Sequence, residues 1–282
     1  MPVATVFLTN RECPWRCVMC DLWKGALATG VPPGAIPEQI RFALEKLGPA
    51  CHLKLYNSGS FFDPGAIPPA DHPAIAQLVC GFERVIVESH PTLVGNRCVR
   101  FRDRLFREAG SRATPPPQLE VAMGLEIAHP QVLERLNKRM SLDEFARAAA
   151  FLRAHEIALR AFVLVQPPFL AAAEAVEWAV RSIRFAFDCG ASVVSLIPTR
   201  PGNGALDELA RRGEFRPPTL ATLEAAVEAG VRMRCGRVFA DVWDLRPFSR
   251  CPACLPARTE RLQRMNLSQE VPPRLDCDQC AG

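Results

Sequence analysis

The sequence predicts an α/β fold in which a parallel sheet forms an incomplete barrel of six βα units. Three observations predict it. Apolar, β-branched runs alternate with stretches of helical spacing, successive runs recur at roughly 30 to 50 residues, and each run stops at polar residues. In parallel α/β folds the carboxyl ends of the strands meet at one mouth, and that is where such folds place their chemistry.

In chain order, the first predicted strand is Val3 to Leu8, followed by a helix from Pro37 to Leu47 that opens on Pro37 and Glu38. Leu53 to Tyr56 and Val85 to Val87 are the second and third strands, and Val99 to Ala109 has helical spacing. Leu119 to Leu125 is the fourth strand. The helix from Ser141 to Ala154 carries a capping-box pattern in Ser141 and Glu144. Leu159 to Val165 is the fifth strand, Glu174 to Cys189 a helix closed by Gly190, and Val193 to Ile197 the sixth strand. Leu220 to Ala229 reads as helix, Val231 to Leu245 has room for one or two strands, and Pro247 to Gly282 reads as loop held by cysteines. Pro32 to Pro33 and Pro115 to Pro117 are expected to be rigid loops. A soft boundary near Gly230 divides a core of residues 1–230 from an extension of residues 231–282. The strand-ending polar residues are Thr9, Asn10, Asn57, Ser58, Glu88, Ser89, Glu126, Gln166, Thr199 and Arg200.

Composition bounds the function. The chain has 282 residues, 49% of them apolar and 23% charged, enough to bury one large core or two smaller ones. Its net charge of +4 comes from 34 basic and 30 acidic residues that are well mixed, so no long-range field draws in a polyanion. The apolar start lacks a basic flank, and no run reaches the ~18 uncharged residues of a spanning helix, so neither an export signal nor a membrane anchor is expected. Twelve cysteines without such a signal point to a reducing, cytoplasmic setting and to metal or redox chemistry rather than disulfides.

Seven of the twelve fall in two groups: Cys13, Cys17 and Cys20, then Cys251, Cys254, Cys277 and Cys280. Cys51, Cys80, Cys98, Cys189 and Cys235 stand alone and are read as small buried hydrophobes. The first group has C-x3-C-x2-C spacing and follows directly on the first strand. Three thiolates in so short a loop suit a 4Fe-4S cluster with one iron left open, because cubanes are ordinarily held by four cysteines. An amino and carboxylate pair such as that of S-adenosylmethionine suits the open iron. Zinc, with a fourth ligand from elsewhere, is the competing occupant.

With this triplet and its six-unit body, the chain resembles the radical S-adenosylmethionine superfamily, whose core is a partial (β/α)6 barrel. Four strand-end stretches resemble the archaeosine synthase radical subunit and its bacterial relatives, in the broad group that includes the Elongator catalytic subunit. They are Asn57 to Asp63, Glu88 to Pro91, Met123 to Glu126 and Gln166 to Leu170; a fifth, Arg212 to Pro218, lies past the sixth strand. The resemblance implies that Cys13, Cys17 and Cys20 hold the 4Fe-4S cluster and that Ser58, Gly59 and Ser60 form the turn meeting the methionine amino group of S-adenosylmethionine. It places Glu126 near the ribose hydroxyls and Gln166 to Pro168 beside the adenine. Glu126 has a plainer reading too, pairing with an arginine such as Arg139. Met19 and Ser60 depart from the family, which often has an aromatic residue before the third cysteine and a glutamate in the turn.

The tail's Cys251-x2-Cys254 and Cys277-x2-Cys280, separated by twenty-two residues, are two knuckles suited to zinc or to a second iron-sulfur cluster. Arg250, Arg258, Arg261 and Arg264 lie among them, so the tail is either an RNA-docking element or a clamp on a segment with little core. Of the five histidines only His90 sits at a strand end, where it is read as a turn residue.

Two functions follow. The first is an enzyme that cleaves S-adenosylmethionine reductively and abstracts hydrogen from a substrate; the family resemblance alone implies a tRNA base or related nucleoside as the preferred class, with flavodoxin or ferredoxin as electron donor. The alternative is a non-catalytic zinc-binding module for RNA or protein, in which both cysteine groups are structural.

Overall fold

The computed structural model describes residues 2–110, 116–277 and 279. Pro115, at the head of the expected rigid loop, and Cys280, the last tail cysteine, lie outside them. Seven strands are ordered along the sheet as along the chain, with parallel pairing from β1 through β4 and from β5 through β7. They are β1 (Val3–Leu8), β2 (His52–Asn57), β3 (Arg84–Glu88), β4 (Gln118–Glu126), β5 (Ala158–Val165), β6 (Val193–Pro198) and β7 (Arg237–Ala240). All six expected strands are present, and β7 is the extra strand for which the Val231 to Leu245 stretch had room.

Two compact units divide the chain. The first comprises Met1–Arg16, Cys20–Gly124 and Asp143–Leu159. It holds β1 to β3 and most of β4, with helices α1 (Ala35–Leu44), α2 (His72–Val79), α3 (Asn96–Ala109) and nearly all of α5 (Leu142–Ala154). The register aligns strand ends: Leu8 lies opposite Asn57, and Glu88 opposite Ala122. One face of β2 and β3 is closed by Leu53, Leu55, Val85 and Val87, all fully buried; in β3 Ile86 is buried on the other face as well. Beneath the sheet, Phe61, Phe62 and Phe101 form an aromatic cluster around the His72 ring, which stacks on Phe61 with centroids 5.4 Å apart. Burial, with help from Arg97, lowers the pKa of His72 to about 4.

The second unit comprises Cys17–Met19, Leu125–Leu142 and Arg160–Gly282. It holds α4 (Pro130–Arg135), most of β5, then α6 (Ala175–Asp188), β6, α7 (Ala205–Arg211), α8 (Leu220–Met233), β7 and α9 (Leu255–Ser268). Gly230 lies within α8, where a Cβ would stand 2.9 Å from Ile183 Cδ1 and 3.0 Å from Val238 Cγ1. Only glycine permits that approach of α8 to its neighbours.

Helix α9 corrects the expectation of a loop over Pro247 to Gly282. Leu262 and Met265 are fully buried and Arg261 nearly so, giving α9 an apolar stripe, while Pro256 at its first turn removes only an N–H that would lack an intrahelical partner. The same helix blunts the free edge of β7. Asn266 Nδ2 donates to Ala240 O at 2.9 Å and its Oδ1 accepts from Ala240 N at 2.7 Å; Gln269 pairs likewise with Val238 at 3.0 and 2.7 Å. Side-chain amides thus imitate one more strand.

The lone cysteines need a second correction. Only Cys98 among them is buried, its thiol pushed up to about 11 by burial. Cys51, Cys80 and Cys189 are half-buried and Cys235 is exposed, because they sit at helix ends and strand edges rather than in the core.

Candidate functional site

In the first unit, the cysteine loop leaves β1 and is pinned on both sides. Glu12 N donates to Leu27 O at 2.8 Å, and Leu27 N to Asn10 O at 2.9 Å. Asn10 Nδ2 reaches Arg11 O at 2.8 Å and Ser58 O at 3.2 Å, which ties the end of β1 to the turn after β2. Arg16, in the left-handed region at φ +50°, lays its guanidinium 3.9 Å from the Trp23 ring centroid and pairs with Glu12 at 2.6 Å. Trp23 Nε1 donates to Cys20 O at 3.1 Å. Trp15 stacks on His90, with centroids 4.3 Å apart and planes at 12°.

Gly59, at φ +113°, sits directly against the first cysteine. A Cβ there would stand 3.3 Å from Cys13 Cβ and 3.5 Å from its Sγ. The glycine is needed both for its left-handed backbone and for this close approach. Ser60, fully enclosed, accepts a hydrogen bond from His90 N at 2.7 Å, so its hydroxyl joins the turns after β2 and β3. His90 Nδ1 lies 2.7 Å from Thr92 Oγ1 and accepts from Thr92 N, so the residue is indeed part of a turn, and also a stacking surface.

Beside this turn stand polar atoms that are buried and have no hydrogen-bond partner: both amide atoms of Asn57, Ser58 Oγ and Asn10 Oδ1. Asn57 is 4% exposed and Asn10 not at all. Leaving such a group unpaired costs about 1–3 kcal/mol, which marks a place where a polar partner belongs. The sequence showed Asn10 and Asn57 as strand-ending polar residues but gave no sign that they are unsatisfied. Thiols at Cys13 and Cys20, an open glycine turn and unpaired amides suit a thiolate-held cluster and a cosubstrate with an amino and a carboxylate group.

In the second unit, Cys17 is carried by a short segment in which Val18 N donates to Leu136 O at 3.0 Å and Val18 O accepts from Asn203 Nδ2 at 2.8 Å. Glu126 ends β4 and Gln166 directly follows β5; they are 7% and 3% exposed and lie in the left-handed region at φ +64° and +54°. Non-glycine residues held there cost of order 1 kcal/mol or more and cluster at functional sites. Glu126 Oε1 accepts from Lys138 Nζ at 2.6 Å, so Lys138, and not Arg139, is its basic partner. Gln166 Nε2 donates to Arg216 O at 2.7 Å, and Phe169 N to Glu214 O at 2.8 Å. These bonds bring the fourth and fifth motifs together around a cavity of about 400 Å³ lined by Arg135, Phe169, Glu214, Phe215 and Arg216. The Arg135 guanidinium lies 3.8 Å from the Phe169 centroid and pairs with Glu214, while Arg216 makes no ion pair among the described residues.

The tail sits in the same unit. Among the described residues, Cys251, Cys254 and Cys277 are the one set of three or more cysteine, histidine or acidic side chains whose ligand atoms all lie within 4.8 Å of one another. Cys13, Cys17 and Cys20 do not form such a set. Nearby, Arg261 and Arg274 both reach Glu228, at 2.9 and 3.1 Å. Burial works against the charge of Glu228, but these hydrogen bonds outweigh it and hold its carboxyl below the ordinary carboxylate range. The tail arginines Arg258 and Arg261 are thus committed to Glu224 and Glu228 rather than presented as a phosphate patch. Among the described residues, no helix is long and apolar enough to cross a membrane.

No protein-family model matches the chain. Among curated proteins, it is 28% identical over 235 residues to archaeosine synthase subunit beta of Thermococcus kodakarensis, covering 80% of this chain and 69% of that one. It is 25% identical over 227 residues to the protein of the same name from Methanosarcina acetivorans, covering 77% and 63%. It is 23% identical over 231 residues to an uncharacterized protein of Methanocaldococcus jannaschii, covering 77% and 61%. The chain therefore spans 61% to 69% of the length of these relatives. Among solved structures, Elp3 of the archaeon Methanocaldococcus infernus superposes with a TM-score of 0.60 at 13% identity, over 94% of this chain and 64% of that one. Methylornithine synthase superposes at 0.52 with 12% identity, over 92% and 81%. In fold the chain is an α/β partial barrel of the kind found in radical S-adenosylmethionine enzymes, and in sequence it is similar to archaeosine synthase subunit beta, the likeness that its cysteine triplet and strand-end motifs imply.

Proposed function

We propose that the chain is a radical S-adenosylmethionine enzyme in which Cys13, Cys17 and Cys20 hold a 4Fe-4S cluster and Ser58, Gly59 and Ser60 border the methionyl end of the cosubstrate. The single observation that carries this reading is the contact between Gly59 and Cys13, which sets an open backbone turn against a thiol at adjoining strand ends. When bound, the cluster supplies the electron that cleaves the sulfonium carbon-sulfur bond. The chain's residues do the rest. Asn57 and Ser58 offer the donors and acceptors an amino and carboxylate pair needs, Glu126 accepts from ribose hydroxyls while Lys138 balances its charge, and Gln166 fixes the loop beside the adenine.

For the substrate we propose a tRNA base or a related nucleoside, from which hydrogen is abstracted. The names of the archaeosine synthase relatives support this, as does the cavity between the fourth and fifth motifs. There, a guanidinium lying on a phenyl ring is a stacking platform for a base, and Arg216 suits a phosphate. Archaeosine formation itself is not carried over. Flavodoxin or ferredoxin is proposed as electron donor, in the cytoplasm, where thiols stay reduced.

Anaerobic reconstitution with iron and sulfide, followed by a dithionite-dependent assay for 5'-deoxyadenosine, tests the reading. The intact chain is expected to form this product and the Cys17→Ala chain none. Equal amounts from both would refute it. Nucleosides from the RNA of wild-type and deletion cells should differ by one modification; identical profiles would exclude RNA as substrate.

A further inference from the structure

We infer that Cys251, Cys254 and Cys277 hold one zinc ion, not a second iron-sulfur cluster, and that this ion fastens the segment around Cys277 to the start of α9. The sulfur spacing decides between the two. Zinc–sulfur bonds of about 2.3 Å at tetrahedral angles place neighbouring sulfurs about 3.8 Å apart. Cys251 Sγ and Cys277 Sγ are 3.9 Å apart, and Cys254 Sγ lies within 4.8 Å of both. A cubane binds each thiolate at a different iron, so its ligand sulfurs are kept apart by the width of the cluster itself. Three sulfurs already this close leave room for a single ion between them.

The surroundings are those of a closed structural site. Cys251 and Cys254 are 7% and 8% exposed. The knuckle they form is braced by Ser249, whose Oγ donates to Cys251 O at 2.9 Å, and Cys254 is the N-cap of the fourteen-residue α9. Cys277 comes from an irregular segment whose preceding backbone is nailed down: Pro272 O and Pro273 O accept from Arg261 at 2.7 and 2.8 Å, and Arg274 pairs with Glu228. The ion would finish what these arginines begin, joining residues 251–254 to 272–277. Cys280, which completes the second knuckle in the sequence, lies outside the described residues.

The test measures zinc and iron per chain in anaerobically purified full-length protein. One zinc per chain is expected, lost in Cys254→Ser and in Cys277→Ser while the iron content holds, and retained in Cys17→Ala while the iron falls. Because a tail variant can fail to fold, cobalt(II) exchanged into the intact protein gives a second reading. Intense thiolate-to-cobalt charge transfer with tetrahedral d–d bands supports the site; a pale octahedral spectrum overturns it. Iron that falls with tail substitution, or zinc unchanged by it, also overturns it. Neither result bears on 5'-deoxyadenosine formation, so failure here is distinct from failure of the radical reading.

Discussion

Asn57 is where a single side chain says most about a missing partner. Both its amide atoms are buried and unpaired at the end of β2, one residue from the Ser58-Gly59-Ser60 turn. Replacing it by leucine, of similar shape, removes an unsatisfied amide worth about 1–3 kcal/mol. Asn57→Leu is therefore expected to raise the melting temperature of the cofactor-free chain and to weaken S-adenosylmethionine binding, read by equilibrium dialysis. A lower melting temperature with unchanged affinity would make the amide structural. His72 carries a second residue-scale prediction. Its folded pKa of about 4 lies below the ordinary 6.5, so its contribution to stability is complete above pH 6.5 and is lost as pH falls towards 4. At 1.36 kcal/mol per pKa unit, that is about 3 kcal/mol. Urea titrations of His72→Phe should show a flatter slope over this window than the wild type; parallel slopes would remove His72 as the cause. The cysteine triplet stands out in the sequence as three thiols in eight residues. The unpaired state of Asn57 does not, since it depends on what the fold fails to bring near.

At the scale of elements, every expected strand was legible because each carries a buried apolar face that its aliphatic and β-branched residues mark in the sequence. Helix α9 was not. Its buried stripe is short, its first turn contains Pro256, and the flanking cysteines gave the segment the look of a loop. Yet α9 closes the sheet edge through Asn266 and Gln269, an arrangement that no periodicity reveals. Gln269→Ala removes two strand-edge hydrogen bonds and leaves Val238 N and O exposed; a loss of about 1–3 kcal/mol and faster amide exchange confined to β7 are expected. Unchanged exchange in β7 would show that the amides are incidental. Arg261→Ala is expected to cost more, because it removes a buried partner of Glu228, leaving that carboxylate to the more exposed Arg274, and frees Pro272 O and Pro273 O of their donor.

Over the whole molecule, the order of strands was legible and the division into units was not. Each unit gathers separate stretches of chain, with Cys17 to Met19 grouped apart from the Cys13 and Cys20 that flank them. Sequence proximity cannot reveal such interleaving, because it arises from contacts made far along the chain. Of the strand-ending polar residues, Asn10, Asn57 and Ser89 are buried in the first unit and Glu126, Gln166 and Thr199 in the second. The cavity at Arg135, Phe169 and Arg216 gives a prediction at this scale. Arg216→Ala should weaken binding of tRNA and lessen its salt dependence while leaving affinity for S-adenosylmethionine unchanged, since that cosubstrate carries no phosphate. The most direct measurement is electron paramagnetic resonance of the anaerobically reconstituted, reduced protein with and without S-adenosylmethionine. A spin-one-half cluster signal that changes on adding the cosubstrate and is absent in Cys13→Ala is the predicted result; a reduced protein with no such signal, or one indifferent to the cosubstrate, would contradict it.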